Sequence, residues 1–80
     1  MSLRVVLADD HVVLRQGVRA LLERHGLEVV AEASDGRAAV EVAREVEPDV
    51  AVLDIMMPFL NGIDAARQIV EACQIGRAHV

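Results

Sequence analysis

Two short runs, "RVVLA" at residues 4–8 and "VAVL" at 50–53, favour β structure and lack the apolar/polar alternation of a half-exposed strand. Strands covered on both faces look like this, and a sheet covered on both faces is built from parallel strands joined by helices. A third run, "LEVVAEA" at 27–33, alternates in part, as a strand nearer an edge does. The intervals between the runs repeat with helical period. Leu14, Val18, Leu21 and Leu22 form one stripe, Arg15, Arg19 and Glu23 fall on the other side, and Gly26 supplies a left-handed stop. Ala39, Val42, Ala43 and Val46 form a second stripe, with Ser34 or Asp35 as N-cap and Pro48 just past the end. Ile63, Ala66, Val70 and Cys73 form a third after "PFLNG"; helical period follows Asn61 and Gly62, so that pair is not a hairpin turn. The order β-α-β-α-β-α predicts an α/β fold with a parallel sheet and right-handed crossovers.

Eighty residues, 54% of them hydrophobic and 26% charged, make one small globular domain with a modest core. Thirteen acidic residues face eight arginines and no lysine, for a net charge of −5, and Phe59 is the only aromatic residue. That balance argues against direct nucleic-acid binding by this segment. The sequence contains neither an 18-residue apolar run nor the pattern of a secretion signal, so a cytoplasmic protein away from the membrane is expected. Cys73 has no second cysteine to pair with and reads as a packing residue.

Asp9 and Asp10 end the first strand, and Asp54 ends the third. In parallel α/β sheets ligands bind beyond the carboxyl ends of the strands, where the strand order reverses. A doubly wound, flavodoxin-like order of 2-1-3 makes those two strand ends neighbours, and three carboxylates then converge. Such a cluster is unfavourable without a counter-charge. Mg²⁺, which takes one or two carboxylates together with waters and phosphate oxygens in octahedral geometry, removes the conflict. A single aspartate there would read as an ordinary helix cap; a pair plus a third points to a cation and to phosphoryl transfer.

His11 reads as a solvent-facing residue of the first helical turn and not as a ligand, and His25 as a helix C-terminal residue. Met56 and Met57 read as loop and packing residues, with the Met56 carbonyl able to face the cation. Pro58 fixes the turn, and Gly62 is expected to adopt a backbone conformation that other residues resist. The terminal "IGRAHV", residues 75–80, fits no helix face and matches a common sequencing-adapter sequence translated in frame. Residues 74–80 are therefore expected to be a non-native tail on a chain cut near Cys73.

"LADDH", "LDIMMP" with a glycine four residues after the proline, and "RQGVRALLE" resemble the receiver domain of bacterial two-component response regulators. "VVAEASDGRAAVEVA" is similar to the NarL/FixJ subfamily, and the resemblance spans residues 3 to about 73. It implies the N-terminal part of a CheY-like receiver over residues 1–73, with three helices. It also implies Asp54 as phosphoacceptor for a sensor histidine kinase, and Mg²⁺ held by Asp9, Asp10, Asp54 and the Met56 carbonyl, with loop support from Pro58 and Gly62. Members of that subfamily usually carry a C-terminal helix-turn-helix that binds promoter DNA.

Receivers continue for two more strands and two more helices that supply a Ser or Thr and a Lys to the phosphoryl site, and neither is present after Asp54. Poor phosphorylation and no switching are expected of this chain. The third strand is expected to be an uncovered edge, favouring homodimers or aggregation and a partly molten state. A phosphorylation-independent interaction module is the first alternative. A Mg²⁺-dependent phosphohydrolase is a weaker one, because its nucleophile wants an acid two residues on, where His11 and Met56 stand here.

Overall fold

Each expected strand forms where the apolar runs place it in the computed structural model, which describes residues 2–73 and 78–79. The elements are β1 (Arg4–Ala8), α1 (Val12–Arg24), β2 (Glu28–Ala33), α2 (Gly36–Val46), β3 (Val50–Leu53), α3 (Gly62–Cys73) and β4 (Ala78–His79). The sheet order is β2-β1-β3-β4, with all pairs parallel. The 2-1-3 order expected of the first three strands is therefore present. β4 corrects the expectation of a bare β3 edge: Ala51 pairs with Ala78 and Val52 with His79, so the middle of β3 has a partner. Residues 74–77 and 80 of the expected tail lie outside the described residues.

The core lies mainly between the sheet and the α2–α3 pair. Ala8, Ala33, Ala51 and Leu53 of the strands meet Ala39, Val40 and Ala43 of α2, Ala65 and Ile69 of α3, and Met57 from the loop between β3 and α3. Small residues let the helices come close to the strands. Gly36, the first residue of α2, seats that helix on the loop before α3: a Cβ there would collide with the Leu60 carbonyl.

Two stripes differ from the expectation. Among the described side chains of α3 the buried positions are Gly62, Ala65 and Ile69, while Ile63 and Val70 are exposed and Ala66 is half-buried. The close seat of Gly62 on the preceding loop sets the rotation of this helix. The side chain of Cys73 is outside the described set. In α1 no residue is fully buried: Val18 and Leu22 are half-covered, and Leu14 and Leu21 are exposed. Leu14 and Val18 share a cavity with Leu7 and Val52, which alternate along β1 and β3 with the core residues Ala8 and Leu53. Among the described residues α1 alone thus covers the opposite sheet face, too narrowly to bury its own apolar stripe.

Capping follows local chemistry. Asp35 is the cap of α2, its carboxylate accepting the Ala38 amide at 2.8 Å. α1 ends with Gly26 at φ +82°, the Gly26 amide donating to Glu23 O and the Leu27 amide to Leu22 O, both at 3.1 Å. His25 is its C-cap, as expected of a helix-terminal residue.

Candidate functional site

Strand register brings the carboxylates together. Ala8 pairs with Leu53, so the residues that follow, Asp9 and Asp54, leave the sheet side by side. The ladder continues one step into both: the Asp9 amide donates to Ala33 O at 3.1 Å and the Asp54 amide to Ala8 O at 3.0 Å. Both backbones are fixed before the loops begin. Asp9 is buried, Asp54 half-buried and Asp10 exposed, so the cluster grades from the sheet end out to solvent.

Asp9, Asp10, His11 and Asp54 each present one donor atom, and these atoms all lie within 4.8 Å of one another. The three expected aspartates are therefore brought together, and His11 joins them. Neither Asp9 nor Asp10 caps α1; the N-cap is His11, whose side chain makes no capping bond. Asp9 Oδ1 instead accepts the His11 amide at 2.8 Å. His11 is exposed, as expected, but its ring turns back over the cluster. Nδ1 lies 3.1 Å from Asp9 Oδ1, 3.0 Å from Asp10 Oδ1 and 3.8 Å from Asp54 Oδ2. The hydrogen bond to Asp9, then the charge of Asp10, raises the His11 pKa above its ordinary 6.5. The protonated ring therefore favours the folded state below 6.5, and this contribution is lost as pH rises through the raised value.

The loop after β3 aims Asp54. Its Oδ1 accepts the Met56 amide at 3.1 Å, leaving Oδ2 on the side of the His11 ring. The Gly62 amide closes the loop onto Ile55 O at 3.0 Å. Asn61 caps α3: Asn61 Oδ1 accepts the Asp64 amide at 2.9 Å, and Asn61 Nδ2 donates to Asp64 Oδ2 at 3.1 Å. Pro58 O accepts the Leu60 amide at 2.8 Å, so Pro58 sits in the turn as expected. Gly62 acts differently from the expectation. Among described glycines only Gly26 has positive φ, and Gly62 is needed because a Cβ there would strike the Asp54 carbonyl. Met56 is exposed and lines an open cavity of about 400 Å³ with Asp9, His11 and Asp54.

Arg15 was expected on the solvent side of α1 and instead leans on the site from behind. Its Nε donates to Glu32 Oε1 at 2.9 Å and its Nη1 to the Asp9 carbonyl at 2.7 Å, and Arg19 pairs with the other Glu32 oxygen. Arg15 thus ties the end of β1 to β2. Arg15→Ala leaves the Asp9 carbonyl and Glu32 each short of a partner, which costs about 1–3 kcal/mol. A urea-unfolding midpoint equal to that of the unsubstituted chain would show that this tie carries no stability.

The three carboxylates suit a hard divalent cation: oxygens dominate the donor set, and among the described residues only His11 forms ion pairs with them. Among the described residues no helix is long and apolar enough to cross a membrane.

Comparison with known proteins agrees with this arrangement. The family model for the response regulator receiver domain matches residues 5–76. The transcriptional regulatory protein LiaR of Bacillus subtilis is 46% identical over 68 residues, covering 84% of this chain and 32% of LiaR. The crystal structure of a LuxR-family two-component response regulator from Aurantimonas superposes with a TM-score of 0.89 at 40% identity, over 98% of this chain and 56% of that one. A chain of the CheX–CheY–BeF₃–Mg²⁺ complex of Borrelia burgdorferi superposes at 0.85 with 26% identity, over 94% of this chain and 57% of that one. The chain thus spans about a third of LiaR and somewhat over half of each solved structure. With the strand order, the converging carboxylates and these matches in agreement, the chain belongs to the receiver-domain family of two-component response regulators.

Proposed function

We propose that Asp54 accepts a phosphoryl group from the phosphohistidine of a sensor kinase, forming an acyl phosphate. A carboxylate oxygen of Asp54 attacks phosphorus, the P–N bond breaks, and the departing imidazole takes up a proton. Asp9 and Asp10 would hold Mg²⁺ together with Asp54, the Met56 carbonyl adding a ligand. The bound cation supplies charge neutralisation for the phosphoryl oxygens, the main catalytic need in this chemistry. Pro58 and Gly62 keep the loop that carries Met56 in place. The observation that carries the reading is the in-register exit of Asp9 and Asp54 from adjacent strands.

Two-component signalling of this kind belongs in the cytoplasm, where the kinase's phosphohistidine is presented. Likeness to LiaR and to a LuxR-family regulator supports a parent protein that controls transcription through a C-terminal helix-turn-helix acting on promoter DNA. The proposed boundary places the receiver portion at 1–73 and a non-native tail at 74–80, supported by the match of "IGRAHV" to a common sequencing-adapter sequence translated in frame. The source gene tests this boundary if it continues differently after Cys73.

The phosphoacceptor reading is tested with acetyl phosphate and Mg²⁺. Mass spectrometry is expected to find one hydroxylamine-labile phosphoryl group on Asp54, at low yield because the chain has no lysine and no Ser or Thr beyond Asp54. Modification that is independent of the cation, or that maps to a histidine, would contradict it.

A further inference from the structure

His11 is the one donor of the cluster that neither the phosphoacceptor chemistry nor the helix cap uses. We propose that its Nδ1 is a fourth ligand of the cation site, giving the site a preference for first-row transition ions such as Ni²⁺ and Zn²⁺ over Mg²⁺. This rests on the reading of Asp9, Asp10 and Asp54 as cation ligands.

Three observations carry it. First, the His11 backbone is held in an extended conformation, φ −97° and ψ 102°, by its amide bond to Asp9 Oδ1, and the ring is free of capping work. Second, an octahedral ion with ligands at about 2.1 Å sets adjacent donors about 3.0 Å apart and opposite donors about 4.2 Å apart. The separations of Nδ1 from the three carboxylates, 3.0, 3.1 and 3.8 Å, fall within that range, and all four donor atoms lie within 4.8 Å of one another, so one ion reaches all four once the widest pair closes by about 0.6 Å. Third, the ring is 67% exposed, so an ion arrives from solvent without displacing packed side chains.

The chemistry then decides the preference. Mg²⁺ gains little from imidazole over water, whereas affinity for mixed nitrogen and oxygen sites rises along the first-row series through Ni²⁺ to Cu²⁺, and imidazole is a good ligand for Zn²⁺ as well. His25 lies at the far end of α1, about 20 Å away along a 13-residue helix, and cannot serve the same ion.

Calorimetric titration of the chain with NiCl₂ and, separately, MgCl₂ tests this, using His11→Ala, the size-conserving His11→Asn, and Asp54→Asn. Both His11 variants are expected to lose about tenfold or more in Ni²⁺ affinity while Mg²⁺ affinity changes less than about threefold. On adding Co²⁺ the His11 ring protons are expected to shift in the unsubstituted chain while those of His25 stay in place. Equal effects of the His11 substitutions on both ions, or an effect on neither, would overturn the inference. If Asp54→Asn also leaves both ions unaffected, the carboxylate site itself has failed, and the role of His11 falls with it.

Discussion

Asp54→Asn is expected to reduce phosphoryl incorporation from acetyl phosphate to background while leaving the fold intact. The carboxylate is half-buried at the end of β3, its Oδ1 is engaged by the Met56 amide and its Oδ2 lies 3.8 Å from His11 Nδ1. Asparagine keeps the size and retains an acceptor for the Met56 amide, but removes the anionic nucleophile and one unit of negative charge from the cluster. Circular dichroism and melting temperature should therefore stay close to those of the unsubstituted chain while the incorporated phosphoryl group disappears. Incorporation by the Asp54→Asn variant at the original level would place the acceptor elsewhere and remove the chemical basis of the proposed function.

Gly62→Ala is expected to be the most damaging single methyl that can be added near the site. Its Cβ would meet the Asp54 carbonyl and come within 3.0 Å of Ile55 Cα, both backbone atoms of a loop pinned to β3. Relief requires α3 to back away, breaking the Gly62–Ile55 bond and lifting Ala65 and Ile69 from the core. Overpacking of this sort costs about 2–3 kcal/mol, some 10–20 °C in melting temperature for a chain this small, and Asp54 moves with the loop. Gly17 in α1 is the control: nothing lies within 4 Å of a Cβ there, and alanine is the better helix former by about 1 kcal/mol. Gly17→Ala should raise the melting temperature and Gly62→Ala lower it. Similar shifts for the two would refute the steric account.

The strands were legible because burial on both faces leaves a mark that solvent exposure cannot imitate; the boundaries of β1 and β3 coincide with the apolar runs at residues 4–8 and 50–53. The convergence of Asp9, Asp10 and Asp54 followed, since strand order and register alone decide which strand ends are neighbours. The helix faces were less legible. Period identifies a stripe, but Ile63 and Val70 match Ala65 and Ile69 in hydrophobicity, and only the close seat of Gly62 decides which pair turns inward. Arg15 misleads for a related reason: its charge suggests solvent, while a long side chain reaches Glu32 and the Asp9 carbonyl across the sheet end. The part of His11 was hidden because its ring direction depends on an amide bond to Asp9 that no spacing rule anticipates. Its adjacency to paired aspartates was the only available signal.

All of the functional reading depends on one ion being shared by the ends of β1 and β3. Titrating Mn²⁺ into isotope-labelled chain and following amide resonances tests this directly, because paramagnetic broadening falls steeply with distance from the ion. The amides of residues 9–11 and 54–56 should disappear together at the lowest Mn²⁺ additions and return when Mg²⁺ is added in excess. Broadening confined to one strand end, or spread evenly over the acidic surface, would contradict a shared site.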